Sequence, residues 1–169
     1  MEIEELKNEI IGEINIEYFE QFFGKSKDYY IPKLIAHENG KKFSFNLSAF
    51  LFGHFWVLYH RMYLNAFILF VIIVVESKFE NILLKILGNT YNIDMSLRYL
   101  WYIIFGTLVG NLGDYFFLEH SKKRVKKIIS TTDEEEIKMK KLKKSGSGNW
   151  ILVVIFVSVM VLSIIFGKK

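Results

Sequence analysis

Three long apolar runs constrain this chain more than any other feature. They cover Trp56–Val75, Tyr99–Leu118 and Trp150–Phe166. A helix rises 1.5 Å per residue, so runs of ~17–20 residues reach the ~30 Å of bilayer hydrocarbon. The last run holds no charge, and Trp150 at one end and Lys168–Lys169 at the other are suited to the interfaces. A soluble domain of 169 residues could hardly bury three such cylinders. The expected fold is therefore all-α and integral to a membrane. It comprises three transmembrane helices, a re-entrant or interfacial aromatic segment and amphipathic cytosolic helices.

The expected organisation follows the chain. Residues 1–21 form an acidic amphipathic helix, with Ile3, Leu6, Ile10, Ile14, Tyr18 and Phe22 at helical spacing. A cytosolic juxtamembrane segment, 22–42, leads to the aromatic segment 43–55, too short to span and broken by Gly53. Spans at 56–76 and 97–118 flank an external loop, 77–96. A basic cytosolic loop, 119–149, precedes the last span, 150–167. Within that loop the second span is expected to continue as a helix through Lys122–Ser130. Thr132 and Glu135 fit a capping box for a second charged helix ending at Lys144, which Ser145–Gly148 breaks.

Charge sets the expected orientation. Residues 119–149 hold ten Lys and Arg, whereas 76–96 hold only Lys78 and Lys85. Positive charge near span ends stays cytoplasmic, which places the amino terminus inside and the carboxyl terminus outside a multi-pass inner-membrane protein. The first twenty residues carry seven Glu and one Lys, the reverse of a signal peptide, so translocation is expected to use the first span.

Polar residues within spans are the default functional candidates. Counting 1.5 Å per residue from an entry near Trp56–Val57 and an exit near Leu118, Arg61 and Asp114 both lie about 6 Å deep, and Asn65 and Asn111 about 10–12 Å. Arg61 is expected to pair with Asp114 and Asn65 with Asn111, a clamp between the first two spans. Gly106, Gly110 and Gly113 would let those spans approach closely. The basic residues Lys122, Lys123, Arg124, Lys126 and Lys127 would set topology and contact anionic lipid at about 1 kcal/mol each near the surface. Phosphate neutralisation of nucleic acid is a weaker reading.

No chemistry is spelled out. The chain has no cysteine, and its four histidines are not spaced as metal ligands. No phosphate loop, nucleophile elbow or metalloprotease helix occurs, so no catalytic residue, metal or cofactor is expected.

One resemblance extends this reading. The chain carries Phe23-Gly24-Lys25 and Tyr29-Tyr30 with Lys33. It then runs from Ser44-Phe45-Asn46 through Ala49-Phe50, Phe52-Gly53 and Phe55-Trp56 to Tyr59 and Arg61-Met62-Tyr63. Gly113-Asp114, Phe117 and His120 follow, then Lys122-Lys123-Arg124. In these stretches it resembles an uncharacterised family of small bacterial inner-membrane proteins, a domain of unknown function. The likeness covers residues 22–169. It marks Tyr29, Tyr30, Asn46, Gly53, Trp56, Tyr59, Tyr63 and His120 as signature or interfacial positions. Leu47, His54 and Asp114 depart from its usual Trp, Pro and Asn. The resemblance implies a membrane architecture and no known activity.

The function expected from all this is a non-enzymatic membrane protein presenting a cytoplasm-facing platform to a protein partner, anionic lipid or its own copies. An oligomeric pore-forming or membrane-perturbing effector is the first alternative, and a small transport component the second.

Overall fold

Paired isoleucines open the described chain. In the computed structural model, which describes residues 10–11, 14–87 and 91–166, β1 (Ile10–Ile11) pairs antiparallel with β2 (Ile14–Asn15). This corrects the helix expected at residues 10–11 and 14–15. Ile10 and Ile14 stand at helical spacing, but β-branched side chains also suit a strand. Asn15 then starts a helix by accepting a hydrogen bond from Glu17 N at 2.8 Å. Among the described residues helix begins at α1 (Ile16–Phe23); Ile3 and Leu6 lie outside them.

The buried face of α1 is Ile16, Phe19, Phe22 and Phe23. It packs on α7 (Glu135–Gly146), the charged helix of the basic segment, with Leu142 completing the core. The expected capping box does not form. Thr132 is buried and accepts from Lys141 Nζ at 3.1 Å, while α7 starts beyond Glu134 with no side-chain cap. Glu135 and Glu136 in its first turn and Lys143 and Lys144 in its last still suit the helix dipole. The helix runs on to Gly146, which lies against Phe22. A Cβ at Gly146 would overlap the Phe22 carbonyl.

After a 3-10 turn (Gly24–Ser26), α2 (Lys27–Glu38) lies along α6 (Tyr91–Ser130). At 40 residues α6 is about 60 Å long and passes Lys122 without a break, as expected. Between α2 and the next long helix sit two short ones. Asn46 starts α3 (Leu47–Phe52) by accepting from Ala49 N at 2.9 Å. Gly53 then breaks the backbone at φ +44°, and α4 (His54–Tyr59) follows.

The first expected span, 56–76, is not one helix. α4 stops at Tyr59, Arg61 adopts φ +59°, and α5 starts afresh as Tyr63–Leu87. The expected external loop 77–96 is largely helical too. α5 runs to Leu87 and α6 starts at Tyr91, with 88–90 outside the described residues. The last span matches α8 (Trp150–Phe166).

The glycine stripe of α6 also has a different partner from the one expected. Gly106 and Gly110 meet Phe50, and Gly113 meets Ala49 and Trp56. Asn46 N donates to Gly110 O at 2.8 Å. The stripe therefore seats α3 and α4 rather than α5, which touches α6 little.

The core is gathered at the charged end, among Phe19, Leu34, Phe117, Val125 and Leu142. The other end is the reverse. On α5, Phe70–Val75 are all exposed, as are Leu100, Tyr102, Ile103 and Ile104 of α6 and most of α8. One described stretch, Glu135–Leu162, is long and apolar enough to cross a membrane. Its apolar part is α8, since α7 is mostly charged and Ser147–Asn149 separates the two. Where three such helices were expected, α5 carries Glu76, Lys78 and Glu80, and the apolar half of α6 is interrupted by Asn111 and Asp114.

Candidate functional site

Asp114 is the most deeply buried carboxylate of the described chain, at 1% exposure. A buried charge is tolerated only when paired and hydrogen-bonded, and three side chains, from α2 and the loop after it, converge to do both. Lys33 Nζ from α2 forms an ion pair with Oδ2. Ser44 Oγ donates to the same oxygen at 3.0 Å, and Asn46 Nδ2 donates to Oδ1 at 2.6 Å. Asn46 is itself fixed twice over, since its side-chain oxygen caps α3 and its backbone N–H holds Gly110 O. Lys33 also donates to Tyr29 Oη at 2.5 Å. Burial works against the Lys33 charge, but the bonds to Asp114 and Tyr29 outweigh it and raise the pKa.

An aromatic box closes the inner side of this centre. Phe117 faces His60 at 4.2 Å and Tyr30 at 4.7 Å between ring centroids, and Trp56 lies 4.4 Å from His60. Such pairs add to area burial and orient α2, α4 and α6 on one another.

A second charged cluster lies farther along the same two helices. His37 Nε2 is 2.8 Å from Glu119 Oε1, and Lys122 Nζ bridges Glu38 at 2.6 Å and Glu119 at 3.2 Å. The partners advance together, Lys33 with Asp114 and His37 with Glu119, so α2 and α6 run in the same direction. The His37 and Lys122 bonds hold the Glu119 carboxyl below its usual range. Between the two clusters opens a cavity of about 220 Å³ lined by Lys33, His37, Lys41, Lys42, Ser44 and Asp114.

The expected clamp is thus replaced. Arg61 does not meet Asp114; its Nε donates to Ser147 O at 3.0 Å. Asn111 donates to Thr107 O of its own helix at 2.8 Å, and Asn65 stands half-buried on α5. The reason is the turn at Arg61, which ends α4 and points the guanidinium to the α7–α8 hinge. There Asn149 N donates to Tyr59 O at 2.8 Å and Asn149 Nδ2 to Tyr63 Oη at 3.2 Å. Gly148 belongs to this contact, for a Cβ there would overlap the Tyr59 ring.

Of the other expected residues, Tyr29, Tyr30, Asn46 and Trp56 come together around Asp114 and its neighbours Gly113 and Phe117, while Gly53 makes the break between α3 and α4. His120 is half-buried on α6. Lys122 is consumed in the ion pairs, while Lys123, Arg124, Lys126 and Lys127 are exposed on the far end of α6. Lys33, Ser44 and the His37–Glu119 pair were not singled out from sequence as site residues. Lys33 was nevertheless visible as the last residue of the Tyr29-Tyr30…Lys33 stretch.

The chain matches the family described as Protein of unknown function (DUF2628) over residues 22–120, more than half its length, and belongs to that family. No curated protein and no solved structure matches it significantly. The matched residues run from the end of α1 to the Glu119–His120 edge of the charged cluster.

Proposed function

We propose that this family member is a non-enzymatic integral membrane protein that crosses the bilayer three times. Its spans are α5, the apolar half of α6 and α8, and its helical cap serves as a cytoplasm-facing docking platform. The observation that carries this reading is the belt of exposed apolar side chains on those three helices, beside a packed and charged cap. Soluble monomers rarely expose contiguous apolar patches beyond a few hundred Å². A bilayer covers such a belt, and helices meet its demand that backbone groups be satisfied internally. The ten basic residues of 119–149 favour the cap on the cytoplasmic side, the first terminus inside and the last outside.

The platform is the cap formed by α1, α2, α7 and the far half of α6. Exposed Leu47, Leu51 and Phe52 of α3 lie at its edge and suit the interface rather than the cytosol. An oligomeric pore is the second reading. It draws on α5, whose Phe67–Val75 are exposed on nearly every face and are open to other copies as well as lipid.

The chain lacks cysteine, so single-cysteine labelling is clean. The protein should resist carbonate extraction from membranes. Lys141→Cys should be shielded from an impermeant maleimide in intact cells and react after permeabilisation, while Lys169→Cys should react in both. Labelling of Lys141→Cys in intact cells would overturn the orientation. A discrete large oligomer in detergent would favour the pore.

A further inference from the structure

The loop joining α2 to α3 has a basic end and an aromatic end. Lys41 and Lys42 are exposed and make no ion pair among the described residues. They line the 220 Å³ cavity with Ser44 and His37, opposite Tyr115 and Leu118. Phe43 and Phe45 are 62% and 53% exposed. By Asn46 the loop has reached Gly110 O. From Leu118 to Gly110 is eight residues of α6, so the loop descends about 12 Å towards the apolar belt. Charge lies at the cap end and exposed rings at the belt end, the polarity of a phospholipid.

His37 also lines the cavity; its side chain is 9% exposed and its Nε2 is engaged by Glu119. The carboxylate in the cavity, Asp114, is already neutralised by Lys33, and Glu38 and Glu119 are held by Lys122. Lys41 and Lys42 therefore leave the cavity with a net positive charge. Its volume lies below the roughly 300–1,000 Å³ usual for a drug-sized ligand, which suits a head group rather than a whole lipid.

We infer that this cavity binds the phosphate of an anionic phospholipid, held by the Lys41 and Lys42 ammonium groups, with the acyl chains lying beside Phe43 and Phe45. Basic pockets at the cytoplasmic ends of membrane helices take such head groups. The inference rests on the membrane reading above. It moves lipid recognition away from Lys126 and Lys127, which stand about 12–14 Å beyond Leu118 along α6.

The test uses the full chain in a neutral detergent, with thermal unfolding followed as short-chain phosphatidylglycerol is added. Short-chain phosphatidylcholine and glycerol phosphate serve as separate titrants. Phosphatidylglycerol should stabilise at lower concentration than either. Lys41→Gln/Lys42→Gln should need roughly tenfold more of it, whereas Lys126→Gln/Lys127→Gln, with the same loss of charge, should change it less than twofold. Equal weakening in both double variants, or none in the first, overturns the site. Glycerol phosphate acting as strongly as the lipid overturns the lipid assignment. If carbonate releases the protein from membranes, the membrane reading fails. If it does not and phosphatidylglycerol shows no preference, only the site fails.

Discussion

Asp114 accepts from an ammonium, a hydroxyl and an amide while almost fully buried, so its partners matter unequally. Lys33→Met removes the only cation on it among the described residues and leaves a buried carboxylate with neutral donors. Breaking a buried pair costs ~3–5 kcal/mol, but Lys33 keeps some water contact, so about 2 kcal/mol is expected. Asp114→Asn turns one oxygen into a donor facing the Asn46 amide or Ser44, and should cost about 1–3 kcal/mol. A double-mutant cycle on thermal unfolding in detergent checks both; additive losses would show that the pair is not coupled. Gly148→Ala forces a methyl into the Tyr59 ring and should cost about 1–3 kcal/mol. Asp114 was legible from sequence as an acid inside an apolar run. Its partner was not, because matching depths assumed a straight first span from Trp56. Nothing about residue type announces that Arg61 takes a left-handed conformation and ends a helix there.

At the scale of elements, the order of the helices was more legible than their joints. α8, the continuation of α6 through Ser130 and the break at Gly53 follow from composition, charge and glycine. The glycine stripe was also legible, but not what fills it, because small residues mark a contact face without naming the helix that packs on it. Gly110→Leu should therefore unseat α3, since a Cβ there already stands 2.9 Å from the Phe50 Cβ. A cysteine at Ala49, buried against Gly113, should then become reactive to maleimide in the Gly110→Leu background. If it stays protected, α3 is held by other contacts. The docking of α2 on α6 carries a pH signature. The Glu119 pKa lies below its ordinary 4.5, so its contribution is present above that value and fades as pH falls through the lowered one. For Lys122, burial opposes the charge, yet the bonds to Glu38 and Glu119 raise the pKa above 10.5. Its contribution is full below 10.5 and is lost as pH rises through the raised value. Stability should thus fall at both extremes, and Glu119→Gln should flatten the acid limb in detergent melts.

At the scale of the whole molecule, two solvents are written into one chain. The cap buries Phe19, Leu34, Phe117 and Leu142 from water, whereas α5 and α8 expose their side chains outward and contribute little to that core. The halves are joined by α6, which runs unbroken through both, and through the Tyr59–Tyr63 turn, the Ser147–Asn149 hinge and the contact of Phe156 with His54 and Phe55 at 5.1 and 5.9 Å. Denaturants weaken burial from water, while a helix in a micelle keeps its backbone bonds within itself. The two halves should therefore respond differently to guanidinium. Trp56 sits in the aromatic box beside His60 and Phe117, so with Trp101 and Trp150 replaced by Phe its fluorescence reports the cap alone. In micelles this signal is expected to change at a lower guanidinium concentration than the far-ultraviolet helical signal, and a residual helical plateau from α5 and α8 should remain beyond it. Fluorescence and helicity falling together to zero would mean that the apolar helices depend on the cap for their structure, which the bilayer reading of the exposed belt does not allow.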